Sequence, residues 1–366
     1  GVHSLGARGY EVTSFSQEEI HMPKKAKIGV VGYGTIGERI ADGVALQDDM
    51  ELVGVVDVAP SLPVRALVES GKGYPIFGGY KDAVPALKSA GVKVAGLLED
   101  LLQEVDMVAD ATSPGIGAKN KEKYVEHGVK AVFQGGEKHE VADTLFNTMA
   151  NYDAAYGKDY LKCLSCNTTG IARQAMAVDH AVGLKEMICL IIRRAADVSE
   201  THKGPVDALL PDKIPSHQAT DFGIVSPHIK CITSVVTAPV CFGHATTMVF
   251  ETKGKMTKDE VIDLFKANAR IRIFRLEDGF LSTSHIFDYN RDRGANRGDM
   301  YEVPVWEETI YLDKGGRRLF STNMIPQEAI VIPENIDAMR CALKMQKTWQ
   351  AAFDRTNRNL GMKPGK

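Results

Sequence analysis

The sequence predicts an α/β fold in two parts: a parallel sheet wound by helices, then an α+β unit with a mixed or antiparallel sheet. Three observations predict it. A strand beginning at Lys27 runs into Gly32-Tyr33-Gly34-Thr35-Ile36-Gly37. Strands and helices then alternate as far as Ser165. Longer apolar strands with few helices between them follow, at Met187–Ile192, Cys231–Thr237 and Thr246–Glu251.

The glycine segment is justified position by position. After a strand, Gly-x-Gly-x-x-Gly supplies a tight turn, a close approach of backbone to a pyrophosphate, and close helix–strand packing. Ile36, Ile40 and Val44 fall on one helical face behind it. The pyrophosphate would then rest on a helix N-terminus. A second strand, Glu51–Val56, ends in Asp57, twenty residues past Gly37, where a carboxylate meets the adenosine ribose hydroxyls. These features together identify a Rossmann dinucleotide-binding domain. Met107–Ala109 and Val129–Phe133 read as further strands. The loops after them, Thr112–Gly115 and Gln134–Lys138, lie where open α/β sheets bind ligands, so Gly136 joins the cofactor candidates.

Next comes Ser165-Cys166-Asn167-Thr168-Thr169-Gly170, between a short strand and a helix marked by Ile171, Ala175, Val178 and Val182. Asn and Thr cap helix N-termini. Cys166 therefore faces unpaired backbone N–H groups and the positive end of a helix dipole, a setting that lowers a thiol below its free value of about 8.5. Cys163 and Cys166 also form a C-x-x-C, open to a redox reading as well as to plain strand alternation. A dinucleotide fold with such a cysteine suggests aldehyde oxidation through a thioester. His244 lies in a turn entering a strand and could serve as the thiol's partner and general base; His217 is a second loop histidine. Arg193 and Arg194 end an apolar strand and suit phosphate, but strand parity lets only one face a given site. Beyond them, Thr257–Glu260 is a capping box, and Thr309–Leu312 with Arg318–Ser321 reads as a hairpin. A final helix is expected from Asn335 to about Leu360.

Composition bounds the rest. The chain has 366 residues, 44% hydrophobic and 25% charged, enough for two cores. A net charge of −3 implies neither nucleic acid nor an anionic membrane as partner. No apolar run approaches the roughly 20 residues of a membrane span. Six cysteines without a signal peptide suggest reduced thiols in the cytoplasm. No paired C-x-x-C marks a structural metal site, and none is expected. Residues 1–21 read as an N-terminal extension, a tag or a leader. The domains expected are 22–165 with 335–366 for the dinucleotide, and 166–334 for catalysis and substrate or phosphate binding.

Taken together, the motifs resemble archaeal-type glyceraldehyde-3-phosphate dehydrogenases. The matching segments include Gly32–Arg39, Gln134–Lys138, Ser165–Gly170, Arg193–Asp197, Pro215–His217, Glu277–Phe280, Val305–Glu308 and Gln327–Asn335, in the family's order. The resemblance implies a phosphorylating homotetramer of glycolysis and gluconeogenesis. It would oxidise D-glyceraldehyde 3-phosphate reversibly to 1,3-bisphosphoglycerate, with inorganic phosphate as co-substrate. Cys166 would match the nucleophile and His244 the family histidine. The oxyanion and phosphate groups would be Asn167, Thr168 or Thr169, and Arg193, with Arg194 and His217 as further candidates. Gln327 or Asn335 would orient the nicotinamide. Two departures stand out. Family members commonly carry Lys or Thr where this chain has Asp57, which favours NAD and leaves NADP as the alternative. Val31 replaces an Asn that often precedes Gly32. The rival readings are an acyl-phosphate reductase like aspartate-semialdehyde dehydrogenase, and a non-catalytic dinucleotide sensor.

Overall fold

A computed structural model describes residues 24–195 and 208–365. The expected extension at 1–21, and Asp197 of the Arg193–Asp197 segment, lie outside the described residues.

The first sheet has eight strands: β1 (Ala26–Val31), β2 (Met50–Asp57), β3 (Ile76–Gly78), β4 (Val94–Leu97), β5 (Met107–Asp110), β6 (Lys130–Phe133), β7 (Thr144–Phe146) and β8 (Tyr160–Cys163). Their order is β4-β3-β2-β1-β5-β6-β8-β7, and every pairing is parallel. Strand order reverses between β1 and β5, the position where such sheets open a crevice at their carboxyl ends. The helices between these strands are α1 (Gly37–Ala45), α2 (Leu62–Ser70), α3 (Val84–Ser89), α4 (Leu98–Leu102), α5 (Ile116–Glu126) and α6 (Thr148–Ala155). Ile40 and Val44 of α1 have no exposed surface, as their spacing predicts.

Helix α7 (Cys166–Val182) leads into the second sheet. Its strands are β9 (Leu184–Arg194), β10 (Leu210–Pro211), β11 (Lys230–Ala238), β12 (His244–Thr252), β13 (Ile271–Phe274), β14 (Val303–Trp306), β15 (Tyr311–Leu312) and β16 (Arg318–Ile325). The path β10-β11-β9-β12-β16-β14-β13 mixes parallel and antiparallel pairs, and β15 with β16 forms the expected hairpin. Helices α8 (His217–Val225), α9 (Lys258–Ala267) and α10 (Thr283–Asp292) fall between these strands, and α7 packs on β9, β12 and β16. The Thr257 side chain accepts the Glu260 N–H, completing the capping box.

One element departs from expectation. The single final helix is two, α11 (Ile332–Ala342) and α12 (Trp349–Asn359). Lys344 takes a left-handed backbone, φ +58°, and the Thr348 side chain caps a fresh start by accepting the Ala351 N–H. The turn lets α11 lie against α1, β6 and β8 while α12 packs on α6.

Candidate active site

The three glycines differ in backbone conformation and surroundings. Gly32 has φ +86° and turns the chain directly after β1. A Cβ on Gly34 would meet nothing within 4 Å, so the loop leaves open space there for a ligand. A Cβ on Gly37 would lie 1.8 Å from the Gly32 carbonyl oxygen, so α1 starts hard against the strand end. Asp57 closes the other side: its Oδ2 accepts the Tyr33 N–H at 3.2 Å, and its Oδ1 accepts from Val58 and Ala59. Tyr33 itself is buried in the core. Ile36 stands at the N-cap of α1, and the Thr35 carbonyl accepts from Arg39. The loops after β5 and β6 meet where Gly136 abuts Pro114, with 2.5 Å between the Pro114 Cγ and a Cβ placed on Gly136.

Cys166 is the first residue of α7, and the N-cap is Ser165, not Asn167 or a threonine. The Ser165 carbonyl receives the first helical bond, from the Thr169 N–H at 2.8 Å. The N–H groups of Asn167 and Thr168 thus precede the helical ladder, aligned with the helix dipole. Gly170 explains how near α7 can come: a Cβ there would sit 2.1 Å from Ile325 Cδ1. Ile325 pairs with His244 across β16 and β12. The bare helix face therefore settles beside His244, and the Cys166 sulfur stands 3.6 Å from its Nε2.

His244 is 2% exposed, and its Nδ1 accepts the Arg194 backbone N–H at 3.0 Å. Burial pulls the imidazole down to about 3, assisted by the charges of Arg194 and Arg193, against a hydrogen bond with Gln327 that raises it. Cys163 is wholly buried, and burial pushes its thiol well up, as befits a core residue. All six cysteines are unbridged.

The arginines separate as strand parity requires. Arg193 is exposed, whereas Arg194 is buried and committed. Arg194 donates to Gln327 Oε1 at 2.5 Å, to the Cys241 carbonyl at 3.0 Å and to Glu328 Oε1 at 2.6 Å. Thr168 and Thr169 are buried too: the Thr168 hydroxyl meets Ser165 Oγ, and the Thr169 hydroxyl donates to the Leu164 carbonyl. His217 is the exposed first residue of α8. Its neighbour Ser216 bonds to Thr233, four strand positions from the Thr237 that pairs with Arg193, about 13 Å along β11.

Asn335 has no exposed surface and lies at the carboxyl end of the first sheet. Its amide donates to Gln134 Oε1 and to the Val331 carbonyl, both at 2.8 Å, while its own Oδ1 accepts nothing. An orphaned buried acceptor is costly, and a carboxamide N–H₂ would satisfy it. With the space over Gly34 and the Asp57 carboxylate, the residues present fit a nicotinamide dinucleotide. Among the described residues, no cluster of His, Cys, Asp or Glu is arranged to hold a metal ion.

Sequence reasoning missed a buried charge network behind this site. Glu334 takes both Arg173 Nε (3.0 Å) and an Arg173 Nη (2.6 Å), and also Arg270 at 3.1 Å; Arg270 reaches Asp337 at 2.6 Å. These residues tie the cysteine helix α7 to α11, which carries Asn335. No local signal marked it: Arg173 lies opposite the Ile171, Ala175, Val178 and Val182 stripe of α7, where a charge reads as solvated.

Comparison with known proteins accords with this geometry. Residues 165–309 match the glyceraldehyde 3-phosphate dehydrogenase C-terminal domain, and residues 26–151 match the dihydrodipicolinate reductase N-terminus. The chain is 41% identical over 339 residues to the glyceraldehyde-3-phosphate dehydrogenase of Thermococcus kodakarensis, covering 92% of this chain and 99% of that protein. It is 38% identical over 337 residues to the Methanobrevibacter smithii protein of the same name, with the same coverage. In fold it is similar to aspartate semialdehyde dehydrogenase II from Vibrio cholerae, with a TM-score of 0.60 over 88% of this chain and 98% of that one. At 15% identity that likeness concerns architecture alone. The chain belongs to the glyceraldehyde-3-phosphate dehydrogenase family, a family of oxidoreductases.

Proposed function

We propose that this protein oxidises D-glyceraldehyde 3-phosphate with NAD and inorganic phosphate, giving 1,3-bisphosphoglycerate reversibly, with Cys166 as nucleophile. The observation that carries the reading is the Cys166–His244 pair at 3.6 Å, set at a helix N-terminus beside a dinucleotide crevice. Cys166 attacks the aldehyde carbon and forms a thiohemiacetal. The N–H groups of Asn167 and Thr168 face the developing oxyanion, an arrangement worth about 10²–10³ in rate per donor elsewhere. When bound, NAD accepts the hydride. Gly32 to Gly37 would cradle its pyrophosphate, Asp57 its ribose, and Asn335 its carboxamide. The thioester left on Cys166 is then released by phosphate.

The remaining assignments follow the same chemistry. Arg193, exposed beside the site, is the proposed phosphate ligand; Arg194 is bound to Gln327 and Glu328, and we assign it to support. Asp57 favours NAD, because a second negative charge at that point repels a 2′-phosphate. The family resemblance suggests a homotetramer. One face of β9 leaves Ile188, Leu190 and Ile192 exposed by 38–51%, an apolar stripe suited to a second copy of the chain. Among the described residues, no helix is long and apolar enough to cross a membrane. Unbridged cysteines suit a reducing cytoplasm.

The test is Cys166→Ser. NAD binding should stay near normal while dehydrogenation falls by several orders of magnitude. Substantial retained turnover would remove Cys166 from the mechanism.

A further inference from the structure

The glycine loop is gripped from outside by a buried arginine. Arg39 of α1 is 5% exposed, and its Nη1 donates to the Thr35 carbonyl at 2.6 Å and to Glu38 Oε1 at 2.9 Å. On either side of Thr35, the Gly34 carbonyl accepts the Glu38 N–H and the Ile36 carbonyl accepts the Ile40 N–H. Thr35 thus owes the direction of its carbonyl to a side chain. In a trans peptide the carbonyl and the next N–H point opposite ways, so a Thr35 carbonyl fixed on Arg39 directs the Ile36 N–H away from it. Among the described residues, that N–H donates to no acceptor. It belongs to the unpaired set at the start of α1, the type of group that binds a phosphate.

Arg39 is held in turn by the second unit. Its Nε donates to Asp299 Oδ1 at 2.7 Å. Asp299 lies between α10 and β14, where Asn290 of α10 donates to its carbonyl and, at 3.1 Å, to that of Gly298. Arg297 bridges the same gap, from Nε to Asp299 Oδ2 at 3.2 Å and from an Nη to Asp42 Oδ2 at 3.0 Å. Its backbone is left-handed, φ +58°, a conformation that a non-glycine residue keeps when its surroundings impose it. Charge attraction is not what this cluster offers. Arg39, Arg297 and Lys72 face Glu38, Asp42 and Asp299, three cations against three carboxylates, so little net field reaches a phosphate. What the cluster fixes is geometry.

We infer that Arg39 and Asp299 are positioning residues for the dinucleotide. Arg39 holds the Thr35 carbonyl so that the Ile36 N–H faces the pyrophosphate, and Asp299 holds Arg39 in that pose. The phosphate cradle is completed by a residue 260 positions along the chain, from the unit that carries the second sheet. This rests on the reading of the glycine loop as the pyrophosphate site.

The experiment is calorimetric titration of the whole chain and its variants with NAD and with adenosine, which lacks the pyrophosphate. Asp299→Leu should weaken NAD binding about tenfold, the scale of one misdirected hydrogen bond to a charged group, and leave adenosine binding unchanged. Arg39→Met should do the same. Asp299→Asn keeps an acceptor for Arg39 Nε and should restore NAD binding. Charge alone predicts the reverse for Asp299→Leu, since removing a carboxylate near a phosphate tightens binding. NAD binding unchanged or tightened in Asp299→Leu would overturn the inference. Equal losses of NAD and adenosine would do so too, as the mark of a merely structural role. The parent reading fails separately, and takes the inference with it, if the wild type binds NAD no tighter than adenosine.

Discussion

Adding one methyl group at two positions of the glycine loop should have opposite consequences. A Cβ on Gly37 would stand 1.8 Å from the Gly32 carbonyl oxygen, whereas real Cβ contacts keep 3.0 Å or more. The start of α1 must therefore retreat from β1 by about 1.2 Å, the difference between those two distances. Overpacking of that kind costs about 1–3 kcal/mol. A Cβ on Gly34 meets nothing within 4 Å, and Gly34 is not among the glycines with positive φ, so alanine fits there without strain. Gly34→Ala should leave stability unchanged or raised by up to about 1 kcal/mol, through a less flexible unfolded chain. The same methyl occupies the space assigned to the pyrophosphate, and should weaken NAD binding at least tenfold, about 1.4 kcal/mol. Urea unfolding without cofactor gives the first quantity, and a fluorescence titration with NAD the second. Gly34→Ala binding NAD like the wild type would refute the cradle, and Gly37→Ala with unaltered stability would refute the packing.

Other expectations follow from named contacts. Replacing Asp57 by serine should raise kcat/KM with NADP relative to NAD at least tenfold; comparable values with both cofactors in the wild type would contradict the assigned role. Arg193→Ala should mainly raise KM for phosphate or the triose phosphate, and a pure kcat effect would speak against phosphate binding. Burial pushes the Glu334 carboxyl up, but Arg173 and Arg270 outweigh it and hold the group below its usual value. A carboxyl depressed in the folded state stabilises the protein above its unfolded value of about 4.5 and loses that contribution as pH falls through the folded value. Glu334→Gln should therefore cost about 3–5 kcal/mol at neutral pH and flatten the acid limb of stability, as measured by urea unfolding across pH. A variant as stable as the wild type at neutral pH would contradict this role for the network.

What the sequence revealed was mostly local. The glycine loop, Asp57 and the Thr257 cap depend on residues close in the chain, so spacing alone places them. Cys166 was legible for the same reason, because strand, turn and helix follow one another within a few residues. The partners of Arg194 were not, since Gln327 and Glu328 come from the segment before α11, more than 130 positions away. Parity stated that only one of Arg193 and Arg194 could face a given side. Arg194 shares strand parity with the exposed Ile188, Leu190 and Ile192, and it is buried by its contacts with Cys241, Gln327 and Glu328, which is a tertiary fact. The network of Arg173, Arg270, Glu334 and Asp337 was hidden likewise, because each charge taken singly reads as a solvated residue. The break after Ala342 escaped notice because Thr348 lies inside a run that otherwise suits a helix.

The central claim is that Cys166 carries the substrate as a thioester which phosphate releases. Its most direct test follows nicotinamide reduction after mixing the protein with D-glyceraldehyde 3-phosphate and NAD, with and without phosphate or arsenate. The account predicts a single burst without either anion and sustained reduction with one. Sustained reduction without phosphate or arsenate, or no reduction with either NAD or NADP, would contradict it.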